Sequence, residues 1–115
     1  MASLGMNGPF DLDEKTINSM VTKKSAGNYA LGRINDEGTF LVGYVGRSDQ
    51  DINGRLKNWV DETKYSKFKF SYAFSPKAAF ENECKNYHDF DPPLNDSHPD
   101  RPNDTNWKCP RCNIY

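Results

Sequence analysis

Alternation of apolar and polar residues predicts the β-strands of this chain. From Lys67 to Phe74, aromatic residues occupy every second position. Because successive side chains of a strand project to opposite faces, this segment is predicted to form a half-buried strand. A period of two also spans residues 28–45, and Asn35–Gly38 interrupt it with turn-forming residues. This pattern predicts a β-hairpin, and so three strands in all.

The hairpin sequence also predicts which residues face each other. With the turn centred within Asn35–Gly38, Tyr29 lies directly opposite Tyr44, on the same face of the sheet. Such a tyrosine pair has two interpretations, since paired aromatic residues stabilise any sheet and can also line a site. Two glycines flank the second tyrosine, Gly43 and Gly46. Glycine in a strand often indicates close approach of another group to the backbone.

Apolar residues with a helical period predict three helices. The first covers Asp11–Lys24, and its first residue is the expected N-cap. The second lies within Arg47–Thr63, where Asp49 or Asp51 is placed to cap it. The third, Ser75–His88, begins with a serine suited to the N-cap and a proline at the first helical position. Two glutamates, a cysteine and a histidine make this helix the chemically richest element of the chain.

The elements together predict an α+β fold in one domain. Its sheet is expected to be small, antiparallel and three-stranded, with helices on its flanks. Residues 1–10 lack periodicity and are predicted to be disordered, whereas residues 11–88 form the core. Residues 89–115 hold most of the prolines without any period. Because a long loop without secondary structure is uncommon in a compact domain, this segment needs something to hold it against the core.

Composition narrows the functional classes. The chain of 115 residues has a net charge of -1, which argues against a dedicated nucleic-acid binder, yet nine of its fifteen basic residues lie within residues 22–70. The stretch after Asp89 is acidic, so an anion would approach one pole only, although solvated surface charge explains this distribution equally well. No apolar run reaches the roughly 20 residues of a membrane span, and no signal pattern opens the chain. The protein is therefore expected to be intracellular, cytoplasmic or nuclear, without membrane contact.

Cysteine and histidine near the C-terminal end predict a metal site. Cys84 and His88 are four apart on the third helix and share one of its faces, and Cys109 and Cys112 have the spacing of a metal-binding turn. The set predicts a closed Cys3His site for structural zinc, which would tie the C-terminal loop to the helix. His98 is an alternative to His88 as the fourth ligand. A redox dithiol at the Cys-x-x-Cys, or three ordinary buried cysteines, would explain the same residues.

Two motifs in the predicted hairpin and two later residues resemble the GIY-YIG nuclease family. Gly27-Asn28-Tyr29 is similar to the first motif of the family and Gly43-Tyr44-Val45-Gly46 to the second. Arg55 follows in the second helix and Glu83 in the third, in the order of the family. The resemblance covers about residues 27–88. It implies a three-stranded antiparallel sheet flanked by helices, and cleavage of DNA phosphodiesters with one divalent cation.

The resemblance also implies a role for each of these residues. Arg55 would meet the negative charge that develops on the phosphate oxygens. Glu83 would hold one Mg²⁺ ion, which would stabilise the leaving oxygen. Tyr29 or Tyr44 would orient the attacking water and could deprotonate it, although a phenol is a weak base at neutral pH. Phosphate-positioning contacts are expected from two further basic residues, Arg47 and Lys57.

The chain departs from the family pattern at several positions. Asn28 stands where the family name has isoleucine, Trp59 stands where many members have histidine, and the hairpin is longer than usual. Glu81 competes with Glu83 as the metal-binding carboxylate, but only Glu83 shares a helical face with residues that must pack on the sheet. Asn95 weakly matches an asparagine that often follows this glutamate.

Two functions are therefore open at the level of sequence. The first is a metal-dependent DNA endonuclease that carries both Mg²⁺ and structural zinc. The second is a catalytically inactive, zinc-stabilised module that binds DNA or a protein. A domain of this size has little room for sequence readout, so the expected cleavage is structure-specific or directed by a protein partner.

Overall fold

The structure is a computed structural model that describes residues 4–95, 98–102 and 105–113. The fold is α+β, as predicted. Seven elements follow one another in the described residues: β1 (Asn7–Asp11), α1 (Glu14–Met20), β2 (Gly27–Ile34), β3 (Phe40–Ser48), α2 (Ile52–Trp59), β4 (Lys67–Tyr72) and α3 (Pro76–Phe90). No helix in these ranges is long and apolar enough to cross a membrane.

The sheet has four strands rather than the three expected. Its order is β1-β4-β2-β3, and every neighbouring pair is antiparallel. The additional strand, β1, pairs with β4 and includes residues 7–10, for which the sequence analysis predicted disorder. Phe10 pairs with Phe68, and their rings lie 5.6 Å apart. The sequence of β1 has no alternating pattern of apolar and polar residues, but the strand is held by its pairing with β4 and by the packing of Phe10 on Phe68.

The predicted register of the β2–β3 hairpin is wrong. Ile34 pairs with Phe40, and the side chain of Asn35 accepts hydrogen bonds from the backbone of Glu37 and Thr39, both at 2.9 Å. The loop is therefore one residue longer than the predicted turn. Along the strands the register shifts again between residues 31 and 32, where the ladder is irregular.

The two tyrosines consequently do not face each other. Tyr29 pairs with Gly46, and Leu31 pairs with Tyr44. Because Tyr44 is two residues from Gly46, it still projects to the same face as Tyr29. The rings lie diagonally, with their centroids 6.2 Å apart. The predicted proximity of the tyrosines is confirmed even though the predicted pairing is wrong.

The described part of the chain forms three helices, as predicted, and the N-caps of two of them are the predicted residues. Ser75 caps α3 and accepts from Ala78 N–H at 3.1 Å, and Asp51 caps α2. The first helix is shorter than predicted, because Asp13 rather than Asp11 is its N-cap. The prediction that β4 continues to Phe74 is also wrong, since the strand ends at Tyr72 and the Phe74 side chain is fully exposed.

Two apolar clusters lie on the two faces of the sheet. The larger one packs α1 and α2 against inward-facing strand residues and includes Ile17, Val21, Tyr29, Leu31, Ile52, Leu56, Phe68 and Phe70. The smaller one lies beneath α3 and contains Phe80, Cys84 and Cys109, with Trp107 and Cys112 packed on it. The C-terminal segment is therefore part of the core that seats α3.

A buried asparagine joins α3 to the sheet. Asn28 is fully buried, donates to the carbonyl of Ala79 at 2.8 Å and accepts from Asn82 at 3.3 Å. Asn28 stands where the family motif has isoleucine, and a hydrogen bond here fixes the helix more specifically than an apolar contact would. Since Ala79 precedes Glu83 by one helical turn, the bond also fixes the position of Glu83 along the sheet.

Candidate active site and metal cluster

A cleft of about 630 Å³ opens beside the edge strand β3, between α2 and α3. All four residues predicted to be catalytic line it: Tyr29, Tyr44, Arg55 and Glu83. Each comes from a different element of the fold. Of the two predicted phosphate-positioning residues, Arg47 lines the cleft, whereas Lys57 does not.

An aromatic group forms one wall of the cleft. Trp59 donates its Nε1–H to the hydroxyl of Tyr29 at 2.8 Å, and its ring lies 4.9 Å from that of Tyr44. Gly46 provides the space for this packing, because a Cβ atom there would lie 2.5 Å from the Tyr29 ring. The prediction that a group approaches the backbone at the glycines is confirmed, and at Gly46 that group is a tyrosine of the same chain.

The two phenols are neutral in this setting. Burial raises the pKa of Tyr29, and the neighbouring Tyr44 raises it further. Burial and the negative charge of Glu83 raise the pKa of Tyr44, against a hydrogen bond from Tyr29 that favours the ionised form. Because both pKa values lie above the ordinary value of 10.0, the phenols act as hydrogen-bond donors and acceptors at neutral pH.

Glu83 lies in the cleft with its carboxylate paired. The side chain is only 10 % exposed, and Oε1 accepts from Nη1 of Arg47 at 2.5 Å. Burial raises the pKa of Glu83, although the charge of Arg47 and its hydrogen bond pull the pKa down. Glu81, the alternative carboxylate, is 42 % exposed, and its Oε2 lies 4.0 Å from Nζ of Lys77. The structure therefore places Glu83, and not Glu81, beside the tyrosines.

Arg47 makes three polar contacts within the cleft wall. Besides Glu83, its Nε donates to Asp49 at 3.0 Å and its Nη2 donates to the carbonyl of Asp100 at 2.8 Å. The guanidinium also lies 5.2 Å from the centre of the Phe80 ring. These contacts hold Arg47 in one position, so its first role is to order the cleft wall.

Arg55 differs from Arg47 in its exposure. It is an exposed residue of α2, and its guanidinium has no ion-pair partner among the residues that the structure describes. Its donors can therefore reach an anion in the cleft.

The cleft lining also includes more carboxylates than the sequence analysis predicted. Asp49, Glu62 and Asp100 line the cleft together with Glu83. The lining residues thus include four with carboxyl groups and two with guanidinium groups.

Asn95 closes the free edge of β3 above the cleft. Its side chain accepts from Val45 N–H at 2.9 Å and donates to the Val45 carbonyl at 3.0 Å, while Leu94 N–H donates to Gly43 at 3.0 Å. These bonds replace the next strand of the sheet over a short stretch. Asn95, the residue that weakly matched the asparagine of the family, therefore shapes the cleft. Its side-chain amide is hydrogen-bonded to the backbone of Val45.

Four side chains near the C-terminal end could hold a metal ion. The ligand atoms of His88, His98, Cys109 and Cys112 all lie within 4.8 Å of one another. Two sulfur and two nitrogen donors in this arrangement are consistent with zinc. The metal cluster, as we call these four residues, joins α3 to two irregular segments. This junction is what the proline-rich loop was predicted to need.

The predicted Cys3His ligand set is wrong in one residue. Cys84 is not a member of the metal cluster, and His98 supplies the remaining donor together with His88. Cys84 is fully buried beneath α3, where burial and the neighbouring Cys109 raise the pKa of its thiol. A thiol in this setting is a poor metal ligand, because the thiolate is the form that binds.

Cys109 has the opposite properties. Burial opposes ionisation, but hydrogen bonds from the backbone of Arg111 and from the side chains of His98 and Cys112 lower the pKa of Cys109 to about 6. The thiolate that a metal ion needs is therefore favoured at neutral pH. All three cysteines are free thiols.

Sequence reasoning placed the cleft residues better than the loop residues. It did not identify His98 as a ligand beside His88, nor Asp100 as a cleft residue, because both lie in an irregular segment. Asp49 could have been found, since it follows the motif strand by one residue and is two residues from Arg47.

Comparison of the chain with protein-family models, with curated proteins and with solved structures finds no match. The resemblance to the GIY-YIG nucleases therefore rests on the motif residues and stays a prediction.

Proposed function

We propose that this protein is a metal-dependent DNA endonuclease whose active site is the cleft between α2 and α3. The observation that carries the proposal is the convergence of Tyr29, Tyr44, Arg55 and Glu83 in one cleft, each from a different element. Residues with those side chains suit phosphodiester hydrolysis, in which negative charge grows on phosphate oxygens. DNA is the proposed substrate, and a protein partner within the cell would direct cleavage.

Arg55 would bind the phosphate. Its exposed guanidinium can present two parallel N–H groups to the non-bridging oxygens, and these bonds strengthen as the oxygens gain charge. Arg47 would act indirectly, because three groups of the protein already occupy it. This division of work differs from the sequence analysis, in which Arg47 and Lys57 were both phosphate contacts.

Tyr44 is the better candidate for contact with the attacking water. Tyr29 is 2 % exposed and accepts from Trp59, whereas Tyr44 is half-buried at the cleft surface. The tryptophan therefore orients Tyr29, and the rings of Tyr29 and Trp59, with centroids 6.2 and 4.9 Å from that of Tyr44, hold Tyr44 by packing. Tyr44 would align the water by hydrogen bonding, since the raised pKa of its phenol makes it a poor base.

Glu83 fits a Mg²⁺ site that has a single protein carboxylate. Mg²⁺ takes oxygen ligands and often keeps one or two carboxylates together with phosphate and water. When bound, the ion would offset the acidic charge of the cleft and stabilise the charged phosphate oxygens. Arg47 holds the carboxylate in place and neutralises it when no metal ion is bound.

The metal cluster would hold zinc in a structural role. Two cysteines and two histidines fill the four positions of a tetrahedral zinc ion and leave no open position for a substrate. Sulfur ligands exclude Mg²⁺, which binds oxygen. The protein would thus carry two different metal ions, Mg²⁺ at Glu83 in the cleft and zinc at the metal cluster.

A cleavage assay on a panel of DNA shapes tests the proposal. Labelled single-stranded, duplex, nicked, flapped and four-way-junction DNA would be incubated with zinc-loaded protein in Mg²⁺ and, as a control, in EDTA added at the time of mixing. Cleavage of at least one substrate in Mg²⁺ alone is expected. Absence of cleavage of every substrate by folded, zinc-loaded protein would contradict the proposal.

The second candidate function is a catalytically inactive module that binds DNA or a protein. The Arg47–Glu83 ion pair favours it, because the carboxylate that should hold Mg²⁺ is already neutralised. The same panel separates the two functions when binding is measured beside cleavage. Tight binding without turnover, insensitive to Glu83→Gln, would select the binding module.

A further inference from the structure

His98 belongs to both functional regions of the molecule. Its side chain is one of the four donors of the metal cluster, and the residue also lines the cleft. Pro99 and Asp100, which follow it directly, line the cleft as well. Residues 98–100 are therefore a wall of the cleft that begins at the metal cluster.

The imidazole of His98 is oriented for metal binding. Its Nδ1 lies 2.9 Å from the carbonyl of Pro99, and its Nε2 lies 3.4 Å from the sulfur of Cys112. A carbonyl can only accept, so Nδ1 donates to Pro99, and Nε2 is the nitrogen that faces the other donors of the metal cluster. A histidine that donates one nitrogen to a carbonyl and presents the other to the metal has the usual geometry of a ligand.

The far end of the same segment contacts Arg47. The carbonyl of Asp100 accepts from Nη2 of Arg47 at 2.8 Å, while Nη1 of the same guanidinium donates to Glu83 at 2.5 Å. Only Pro99 lies between His98 and Asp100 in the chain. A displacement of His98 therefore reaches the guanidinium that orders Glu83.

We propose that occupancy of the metal cluster sets the position of Arg47, and through it the accessibility of Glu83, by way of residues 98–100. The metal ion then has a second task besides holding the C-terminal segment to α3: it fixes the cleft wall that residues 98–100 form. His98 is a positioning residue in this account, since it acts on Glu83 through Arg47. The consequence for cleavage rests on the proposed nuclease function, whereas the effect on Arg47 does not.

Cys112 provides a matched control. It is a donor of the same metal cluster, so its loss weakens the same ion, but neither Cys112 nor its described neighbours line the cleft. His98→Asn and Cys112→Ser thus each remove one ligand, and only the first separates the cleft wall from the ion. His98→Cys keeps a ligand at position 98 and serves as the conservative replacement.

The test follows the Nε–H resonance of Arg47 by NMR while zinc is added to chelator-treated full-length protein. In the wild type, zinc is expected to shift this resonance to a new position. Cys112→Ser should need more zinc but reach the same position at saturation. His98→Asn should bind zinc without reaching it, and His98→Cys should recover it. Amide spectra of the β2, β3 and β4 strands show that each variant is folded.

Two results would overturn the inference. One is an Arg47 resonance in the wild type that does not respond to zinc, a test that needs no variant to fold. The other is a His98→Asn protein that reaches the wild-type position at zinc saturation.

Cleavage is the second readout and separates the inference from the nuclease proposal. At saturating zinc, His98→Asn is expected to lower kcat by about 10-fold or more with little change in KM, as loss of an outer-sphere positioning contact does. Cys112→Ser at saturating zinc is expected to lose less kcat than His98→Asn, because its residues 98–100 still begin at an occupied metal cluster. If no form of the protein cleaves DNA, the nuclease proposal fails, and the Arg47 resonance still decides whether the metal cluster positions the cleft.

Discussion

The cleft and the metal cluster are built in different ways. The tyrosines, Arg55 and Glu83 stand on β2, β3, α2 and α3, whose backbones are fixed by ladder and helical hydrogen bonds. Only one donor of the metal cluster, His88, stands on a regular element. The other three, His98, Cys109 and Cys112, lie outside the helices and strands that the structure describes.

This difference indicates what each region needs. The sheet and its two flanking helices can place most of the cleft without any ligand. The donors of the metal cluster come together only when the irregular segments are held, and a bound ion supplies that constraint. Residues 98–100 connect the metal cluster to the cleft. One wall of an otherwise preorganised cleft is therefore expected to depend on metal.

The largest effect should come from loss of the metal cluster. Cys109→Ala is expected to lower the affinity for zinc, so that the purified protein retains less than one zinc ion per chain, and amides of residues 105–113 should lose hydrogen-exchange protection while β2 and β4 keep it. A ligand at 100 times its Kd stabilises the folded state by about 2.7 kcal/mol, so removal of zinc should lower the free energy of unfolding by a comparable amount.

Cys84→Ala is the matched control for this comparison. It also removes a buried sulfur, but outside the metal cluster, so one zinc ion per chain should remain by elemental analysis. If Cys84→Ala lost zinc as completely as Cys109→Ala, the ligand set given above would be wrong and the original Cys3His prediction would be favoured.

The next effect concerns the two basic residues of α2. Arg55→Ala should reduce kcat of DNA cleavage by about 100-fold or more, the usual cost of removing a preorganised donor from a developing oxyanion. Lys57 is two residues further along α2 and projects from a different side of the helix. Lys57→Ala should change kcat little, because Lys57 does not line the cleft. Equal losses in the two variants would indicate general DNA attraction instead of a site.

Asn28→Ala should destabilise the region that carries Glu83. Removal of a buried hydrogen-bonding side chain costs about 1–3 kcal/mol, and urea unfolding followed by circular dichroism would measure the loss. Asn82→Ala removes the exposed partner of the same network and should cost less. A smaller loss for Asn28→Ala than for Asn82→Ala would mean that the asparagine does not anchor α3.

Trp59→Phe tests the aromatic wall. It keeps a ring beside Tyr44 but removes the donor to the Tyr29 hydroxyl, so the free energy of unfolding should fall by about 1 kcal/mol. If the tryptophan orients the phenols for water alignment, kcat should fall as well while KM stays unchanged. Unaltered kcat in a destabilised protein would limit Trp59 to packing.

The smallest effect is a pH dependence of stability due to Glu83. Burial raises its pKa above the ordinary value of 4.5. Between 4.5 and the raised pKa, the unfolded chain has lost a proton that the folded chain still holds, so the free energy of unfolding decreases as pH rises through that window. Glu83→Gln cannot titrate, and the decrease should be absent from it. Parallel pH profiles of the two proteins would contradict the stated pKa shift.

Sequence reasoning succeeded where a residue's position follows from the period of a regular element. The helical faces separated Glu83 from Glu81, and the strand period placed both tyrosines on one face. It failed on the exact pairing because the hairpin loop is one residue longer than predicted and because the ladder shifts again next to Gly32, where a Cβ atom would lie 2.2 Å from the carbonyl of Leu41. A glycine inside a strand is the one signal that could have indicated this irregularity.

The metal cluster shows the opposite limit. Cys-x-x-Cys and the cysteine–histidine pair on α3 indicated a metal site, but helical spacing alone favoured Cys84, which the core buries. His98 comes near the other donors through the path of a proline-rich segment, and no periodicity determines that path. The same reason explains why β1, which contains glycine and proline, was predicted to be disordered.

The central claim is that Glu83 and its cleft hydrolyse phosphodiesters, and paired variants of α3 test it most directly. Single-turnover cleavage in Mg²⁺ would be compared for the wild type, Glu83→Gln and Glu81→Gln, each zinc-loaded and folded. We expect Glu83→Gln to lower the cleavage rate by about 100-fold or more, whereas Glu81→Gln, which changes a partly exposed carboxylate on the same helix, should cleave like the wild type. Equal rates for Glu83→Gln and the wild type would contradict it.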